Sequence, residues 1–344
     1  MVEFKLPQKY VPSIQVLRAI AAWSVVLCHY NQVFFDWDMS GSFLGLKFAY
    51  LSKNYGPLGV DIFFVISGFI IFLSGEKAKS AKQFFLNRAT RIIPPYWFFT
   101  FVLLALVTFF PEANKTEIYW TGESILKSLF FVPHENPSPD LGRFPFLTVG
   151  WTLNYEVMFY LSCSVLLVIF RKWWFIPMLA LLMFGKTLWL VDVFAYFFHS
   201  YYIREFGWGM LIALAYRKGL IPDNNFIGLA VLALSVYLFY LGGAREYTVP
   251  AVGFLVLAGL CFKDNLFANP FSQFLQHLGN VSYSTYLAHG AVSFSVCLSI
   301  YGKHSVYPNE FLLLSTYILL TYACSYFGNR YIEDNSFNRW VRNL

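Results

Sequence analysis

Runs of about twenty mostly apolar residues, separated by short polar or charged segments, recur along the whole chain. A hydrocarbon core of about 30 Å needs roughly 20 helical residues at 1.5 Å each. By that measure ten stretches are predicted to span: roughly 14–34, 57–74, 92–110, 149–170, 173–192, 196–216, 226–241, 247–263, 279–300 and 311–330. The weakest region is 173–216, which Lys186, Asp192, His199, Arg204 and Glu205 interrupt. The first apolar run, from about Ile14, is too long for a signal-peptide core and is followed by many more, so no cleavable leader is expected. The pattern predicts an all-α, polytopic membrane protein. Residues 1–344 read as one integral-membrane domain, with no soluble domain after the last span.

Charge placement adds an orientation. With the N-terminus inside, sixteen Lys and Arg fall on the cytoplasmic side and seven on the outer side. Cytoplasmic loops carry such an excess, so both termini are expected in the cytoplasm. Composition agrees: 58% hydrophobic, 13% charged and a mean hydropathy of +0.53, against about 25% charged for an average soluble domain. The net charge of +6 is then mostly a record of topology rather than a basic patch, which argues against a nucleic-acid partner. The five cysteines lie in apolar runs without CxxC spacing, so neither disulfides nor a metal site is expected.

Polar residues inside the spans carry the candidate chemistry. In LRAIAAWSVVLCHY, Arg18 and His29 stand eleven residues apart, three turns plus roughly 20°, so they share a stripe about 16 Å long. Ionisable groups at such depth usually face a bundle interior or a water-filled cavity. The predicted topology puts His29, Asp61 and Glu156 in the outer half of the membrane, within two helical turns of one another in height. An imidazole with orienting carboxylates is the composition of a general base. Bland alternatives stand beside this: a histidine satisfied by a neighbouring helix, or Asp61 as a helix N-cap. His289, with Tyr283 nearby in NVSYSTYLAHG, suits structural hydrogen bonding as well as chemistry. On the inner side, Arg88 and Arg91 are spaced i, i+3 before Pro94 and Pro95, which are placed at a helix start. Two guanidiniums on one face suit a multiply anionic phosphate ligand, or simple positive-inside anchoring. The outer loop 111–148 reads as an irregular lid or a plain connector.

At these residues the chain resembles the membrane-bound acyltransferase 3 family, which O-acylates bacterial surface carbohydrates. The resemblance runs through IQVLRAIAAWSVVLCHY, GVDIFFVISGFIIF, FLNRATRIIPPYW, GWTLNYEVMFY, GNVSYSTYLAHG and NRYIEDNSF, covering nearly the whole chain. It implies that Arg18 and His29 are the essential pair of the first helix and that Arg88 and Arg91 belong to a cytoplasmic motif associated with the acyl donor. Asp61 and Glu156 match acidic positions, and Trp151, Tyr283 and His289 fall in motif segments that contact substrate or support the site. NRYIEDNSF departs from a Glu-x-Pro ending, which puts a role for Glu333 in doubt.

The expected activity is transfer of an acyl group from an acyl-CoA, with acetyl-CoA as the commonest donor, to a carbohydrate or lipid-linked glycan outside the bacterial inner membrane. His29 would act as base, oriented by Asp61 or Glu156, with Arg18, Arg88 and Arg91 holding the donor. No permanently bound cofactor is expected. The competing class is a proton-coupled transporter of a small solute, whose histidine and carboxylates would relay protons.

Overall fold

The structure, a computed structural model, describes residues 11–110, 118–139, 141–185, 197, 200–242, 245–333, 335 and 338. In chain order its main helices are α1 (Pro12–Phe35), α2 (Gly45–Tyr55), α3 (Leu58–Lys77), α4 (Ala81–Phe109), α5 (Gly122–Leu129), α6 (Trp151–Phe170), α7 (Phe175–Phe184), α8 (Tyr202–Arg217), α9 (Asn225–Leu241), α10 (Arg245–Cys261), α11 (Pro270–Asn280), α12 (Ser282–Ala288), α13 (Phe294–Tyr301) and α14 (Asn309–Phe327). Among the described residues every regular element is helical. That follows from apolar surroundings, where a helix satisfies its backbone groups within one segment.

Among the described residues, five helical stretches are long and apolar enough to cross a membrane: Pro12–Phe35, Gly45–Lys77, Ala81–Phe109, Thr148–Trp173 and Asn309–Glu333. Phe175–Phe184, Asn225–Leu241 and Glu246–Cys261 are apolar but shorter. The predicted stretch 279–300 is helical but interrupted, since a π-helical turn, His289–Ser293, separates α12 from α13. Much of 186–199, including Lys186, Asp192 and His199, lies outside the described residues, as do both ends of the chain.

Two differences from the sequence reading concern α4 and α5. The first starts at Ala81 rather than near 92, with the Ser80 hydroxyl accepting from the Gln83 amide at 3.1 Å as a cap. Arg88 and Arg91 therefore lie inside the helix, and Pro94 and Pro95 are interior to it rather than at its start. Each proline lacks the amide that would bond four residues back, which deprives the carbonyls of Thr90 and Arg91 of their helical donors. The Tyr283 hydroxyl donates to the next carbonyl, Ile92, at 2.8 Å. Within the presumed loop 111–148, Gly122–Leu129 is a helix closed by a Thr121/Ser124 capping box.

The chain divides into two compact units, neither of them contiguous in sequence. The first takes its described residues from Met1–Ala21, Leu58–Phe85 and Phe159–Asn280. Its centre is the pairing of α3 with α8. A Cβ on Gly68 would stand 2.1 Å from the Phe206 carbonyl oxygen, and one on Gly209 would stand 2.0 Å from that of Val65. The two backbones touch because neither residue has a side chain. Close packing of this kind is what holds helices together where lipid removes the hydrophobic incentive. Phe206 is sandwiched by Phe159 at 4.3 Å and Phe64 at 4.9 Å, and Arg217 pairs with Glu76 at the far end.

The second unit draws on Ala22–Pro57, Leu86–Met158 and Val281–Leu344. Val26, Tyr30 and Phe34 of α1 pack with Cys297 of α13 and with Leu313 and Tyr317 of α14. The Tyr317 hydroxyl donates to the Val26 carbonyl at 3.1 Å. Buried Asn31 holds α2 by donating to the Ala49 carbonyl and the Ser52 hydroxyl, and buried Glu310 accepts from Ser42 and the Phe43 amide. These bonds fix the C-terminal half of α1 and the chain after it, which frame the site.

Candidate active site

His29, Gln32 and Val33 follow the i, i+3, i+4 spacing, so they line one stripe at the end of α1, and Asp36, just past the helix, continues it. That stripe forms one wall of a cavity of about 640 Å³ within the second unit. The opposite walls come from Leu103 of α4, from the segment Phe144–Trp151 that leads into α6, and from Gly290, Phe294, Ser295 and Lys303. Aromatic faces and hydrogen-bonding groups are thus mixed around one space, as in sites that bind polar organic ligands.

His29 is held by a second ring. Its Nδ1 lies 3.0 Å from Nε2 of His289, and the two imidazoles stack at 5.1 Å between centroids with an 18° interplanar angle. Phe294 sets its ring edgewise to both, at 5.9 Å from His29 and 5.3 Å from His289. His289 is fully buried, and its Nδ1 contacts the Thr285 carbonyl at 3.2 Å. It begins the π-helical turn, in which the Phe294 amide donates to the His289 carbonyl five residues back. Such turns recur at functional sites because they displace a side chain from the regular helical register.

The wall opposite α1 is positioned by Tyr286. Its hydroxyl donates to the Val149 carbonyl at 2.7 Å and receives a bond from Thr152 at 3.1 Å. Gly290 lets α12 and its π turn approach closely, because a Cβ there would stand 2.8 Å from a Val149 methyl. The result presents Trp151, edge-on to Phe144 at 6.3 Å, to the cavity.

Asp36 and Lys303 form an ion pair at the cavity wall, Nζ to Oδ1 at 2.8 Å, and His304 Nε2 stands 3.3 Å from the other carboxylate oxygen. The Lys303 hydrogen bond holds the Asp36 carboxyl below the usual carboxylate range. Asp36, Trp37 and His304 all adopt left-handed backbone, with φ of 49°, 69° and 52°. Such conformations cost non-glycine residues on the order of 1 kcal/mol each. The contacts that hold them include the ion pair and a bond from the His304 amide to the Phe34 carbonyl at 2.8 Å.

His29, His289 and Trp151 thus meet in one place. Among the described residues, Glu156, Arg88, Arg91 and Tyr283 are not in the cavity lining. Glu156 and both arginines are half-buried on their helices, while Tyr283 secures the proline turn of α4. Arg18, buried and donating to Gln15 at 3.1 Å, and Asp61, buried in the first turn of α3, belong to the first unit. Glu333 is buried, accepting from Ser284. Sequence reasoning missed Gln32, Asp36 and Lys303. Gln32 could have been found by extending the His29 stripe forward by one turn, whereas Asp36 lies beyond the end of α1 and no local signal marks Lys303.

Comparison with known proteins extends these observations. The exopolysaccharide production protein ExoZ of Rhizobium meliloti is 36% identical over 250 residues, which is 68% of this chain and 75% of that protein. The peptidoglycan O-acetyltransferase OatA of Listeria monocytogenes is 34% identical over 179 residues, 48% of this chain but only 25% of the relative. The O-acetyltransferase OatA of Staphylococcus aureus is 24% identical over 373 aligned positions, covering 94% of this chain and 57% of the relative. No solved structure matches the chain. The acyltransferase 3 family, described as an acyltransferase domain, matches residues 11–330, and with that extent of agreement the chain belongs to this family.

Proposed function

We propose that the protein is a membrane O-acyltransferase that moves an acetyl group from acetyl-CoA to a hydroxyl of a cell-surface or exported carbohydrate. The observation that carries this reading is His29 on the wall of an aromatic and polar cavity, in a chain of the acyltransferase 3 family. The relatives support the acceptor class, since their names refer to exopolysaccharide production and to peptidoglycan O-acetylation.

In this reading the protein sits in the bacterial inner membrane with ten spans and both ends in the cytoplasm. Arg88 and Arg91 take the phosphates of the donor on the inner side, and Arg18 lines its route. His29 accepts the proton of the acceptor hydroxyl as that oxygen attacks the thioester carbonyl. Collapse of the tetrahedral intermediate breaks the carbon–sulfur bond, and the imidazolium returns the proton to the departing thiolate. Positioning both substrates against one base contributes the rest of the acceleration. The orienting partner assigned from sequence was Asp61 or Glu156, whereas the group bonded to the His29 ring is His289.

Purified protein in nanodiscs, incubated with acetyl-CoA carrying a radiolabelled acetyl group and with surface glycan fractions, tests the reading. Label in glycan with wild-type protein, lost in folded His29→Ala, is the expected result. Retention of wild-type transfer by folded His29→Ala overturns the assigned base. Movement of solute without acylation identifies a transporter instead.

A further inference from the structure

The partners of the two stacked imidazoles determine where their protons sit. A carbonyl oxygen only accepts hydrogen bonds, so the Nδ1 of His289 that faces the Thr285 carbonyl at 3.2 Å must carry a hydrogen. A neutral imidazole bears one proton, which leaves Nε2 of His289 as an acceptor. Among the described residues, the ring atom facing it is Nδ1 of His29, at 3.0 Å, which must therefore be the donor. His29 is then left with its lone pair on Nε2. Assignment by partner chemistry is the ordinary way to settle imidazole tautomers.

We propose that His289 is a positioning residue that fixes the tautomer of His29, so that the nitrogen free to take a proton is Nε2. The inference rests on the reading of His29 as the base of acyl transfer. The rest of the cluster supports it. His289 is fully buried, so water does not compete for its Nε2, and Phe294 packs edgewise on both rings and restrains their rotation. The π turn starts at His289 itself, and the main-chain bond that defines it runs from Phe294 to His289. One local distortion thus sets the positions of the acceptor ring and of the ring that restrains it. During the reaction the acceptor O–H bond breaks and its proton goes to Nε2 of His29. The Nδ1–H of His29 stays in its bond to His289, which stabilises the imidazolium, and the Nε2 proton later leaves with the thiolate.

The arrangement parallels a histidine oriented by a carboxylate, with a neutral acceptor in the carboxylate's place. A neutral acceptor suits a site in the apolar part of a membrane, where an added charge is costly.

The test reads the tautomer directly. The full chain, with its six histidines labelled with nitrogen-15, is reconstituted in lipid, and the His29 signals are assigned by their loss in His29→Gln. The wild-type protein should show His29 protonated at Nδ1 and bare at Nε2. His289→Leu should redistribute His29 toward the Nε2-protonated form, whereas His289→Gln, whose amide oxygen can accept from Nδ1, should restore the wild-type pattern. With labelled acetyl-CoA and surface glycan, kcat of His289→Leu should fall by on the order of a hundredfold, the lower range for a lost acid–base contribution, while KM for acetyl-CoA stays within about twofold. Partial rescue of kcat by His289→Gln completes the expectation.

Finding the Nε2-protonated tautomer in wild-type protein overturns the proposal, as does an unchanged tautomer or kcat in folded His289→Leu. Should the leucine variant not fold, a folded glutamine variant that loses the wild-type tautomer overturns it equally. Wild-type protein that shows the expected tautomer and acylates no glycan would sustain the role of His289 and remove the acyltransferase reading, so the two failures are distinct.

Discussion

Tyr286 donates its hydroxyl to the Val149 carbonyl at 2.7 Å, tying two segments that lie 137 residues apart in sequence. Tyr286 is buried, and the same hydroxyl accepts from Thr152, so this phenol ties down the turn that leads into α6, beside the bond from the Phe146 amide to Ser128. Removing it leaves a buried carbonyl without that donor, a loss of about 1–3 kcal/mol. Tyr286→Phe should therefore lower the thermal midpoint by several degrees and reduce turnover, since Val149 and Thr152, which flank Trp151, lose a shared partner. Thermal unfolding in detergent, followed by intrinsic fluorescence, checks the first part. An unchanged midpoint would mean that the turn is held by other contacts.

The Asp36–Lys303 pair predicts a pH dependence on the acid side. The folded carboxyl titrates below its ordinary range, so its contribution is complete above the unfolded carboxylate value and fades as pH falls through the shifted one. Because both side chains are about half exposed, the effect is at most about 1 kcal/mol. Wild type should exceed Asp36→Asn in thermal stability near neutral pH, with the two curves converging as pH falls below the ordinary carboxylate range. Parallel curves over that interval would contradict the assignment.

Gly209 meets the α3 backbone with no room for a methyl group, since its Cβ would lie 2.0 Å from a carbonyl oxygen. A main-chain atom cannot turn aside as a side chain can. Gly209→Ala should cost at least the ~1–3 kcal/mol typical of overpacking and reduce the yield of monodisperse protein. Gly41→Ala, where a Cβ meets nothing within 4 Å, is the matched control and should behave as wild type. Size-exclusion profiles of the two variants give the answer.

Trp151 tests the acceptor side of the proposed activity. An aromatic face beside hydrogen-bonding groups is suited to the apolar face of a sugar ring, and such a contact is worth on the order of 1 kcal/mol. Trp151→Ala should raise KM for the glycan by roughly tenfold, the equivalent of about 1.4 kcal/mol, with kcat near the wild-type value. Trp151→Phe should lie between. Initial rates across an acceptor series separate the two constants, and a fall in kcat at unchanged KM would assign Trp151 to the chemical step instead.

Length and apolarity made α1, α3, α4, α6 and α14 readable from the sequence, because a buried span must be both long and apolar. The short helices Gly45–Tyr55, Gly122–Leu129 and Pro270–Asn280 escaped because they do not form long apolar runs. The start of α4 was misplaced for a related reason: its first turns carry Lys82, Gln83, Asn87, Arg88 and Arg91, which read as a polar approach to a span rather than as the span's own helix. At the site, His29 stood out as an ionisable group in an apolar run. Its pairing with His289 did not, because the two are separated by 260 residues and helical periodicity relates only near neighbours.

The π turn at His289–Ser293 amounts to one residue more than a regular helix would hold. Each residue advances a helix by about 100°, so everything from Phe294 onward is wound by that angle relative to α12. Deleting a single position in this turn would leave a longer, more regular helix whose second half faces the wrong way. Phe294 would swing off the imidazoles, and Cys297 would leave its place beside Tyr317. Homologues should therefore keep the length of this stretch along with His289 and Gly290, and an alignment gap there would mark a protein whose helix presents Phe294 and Cys297 to other neighbours.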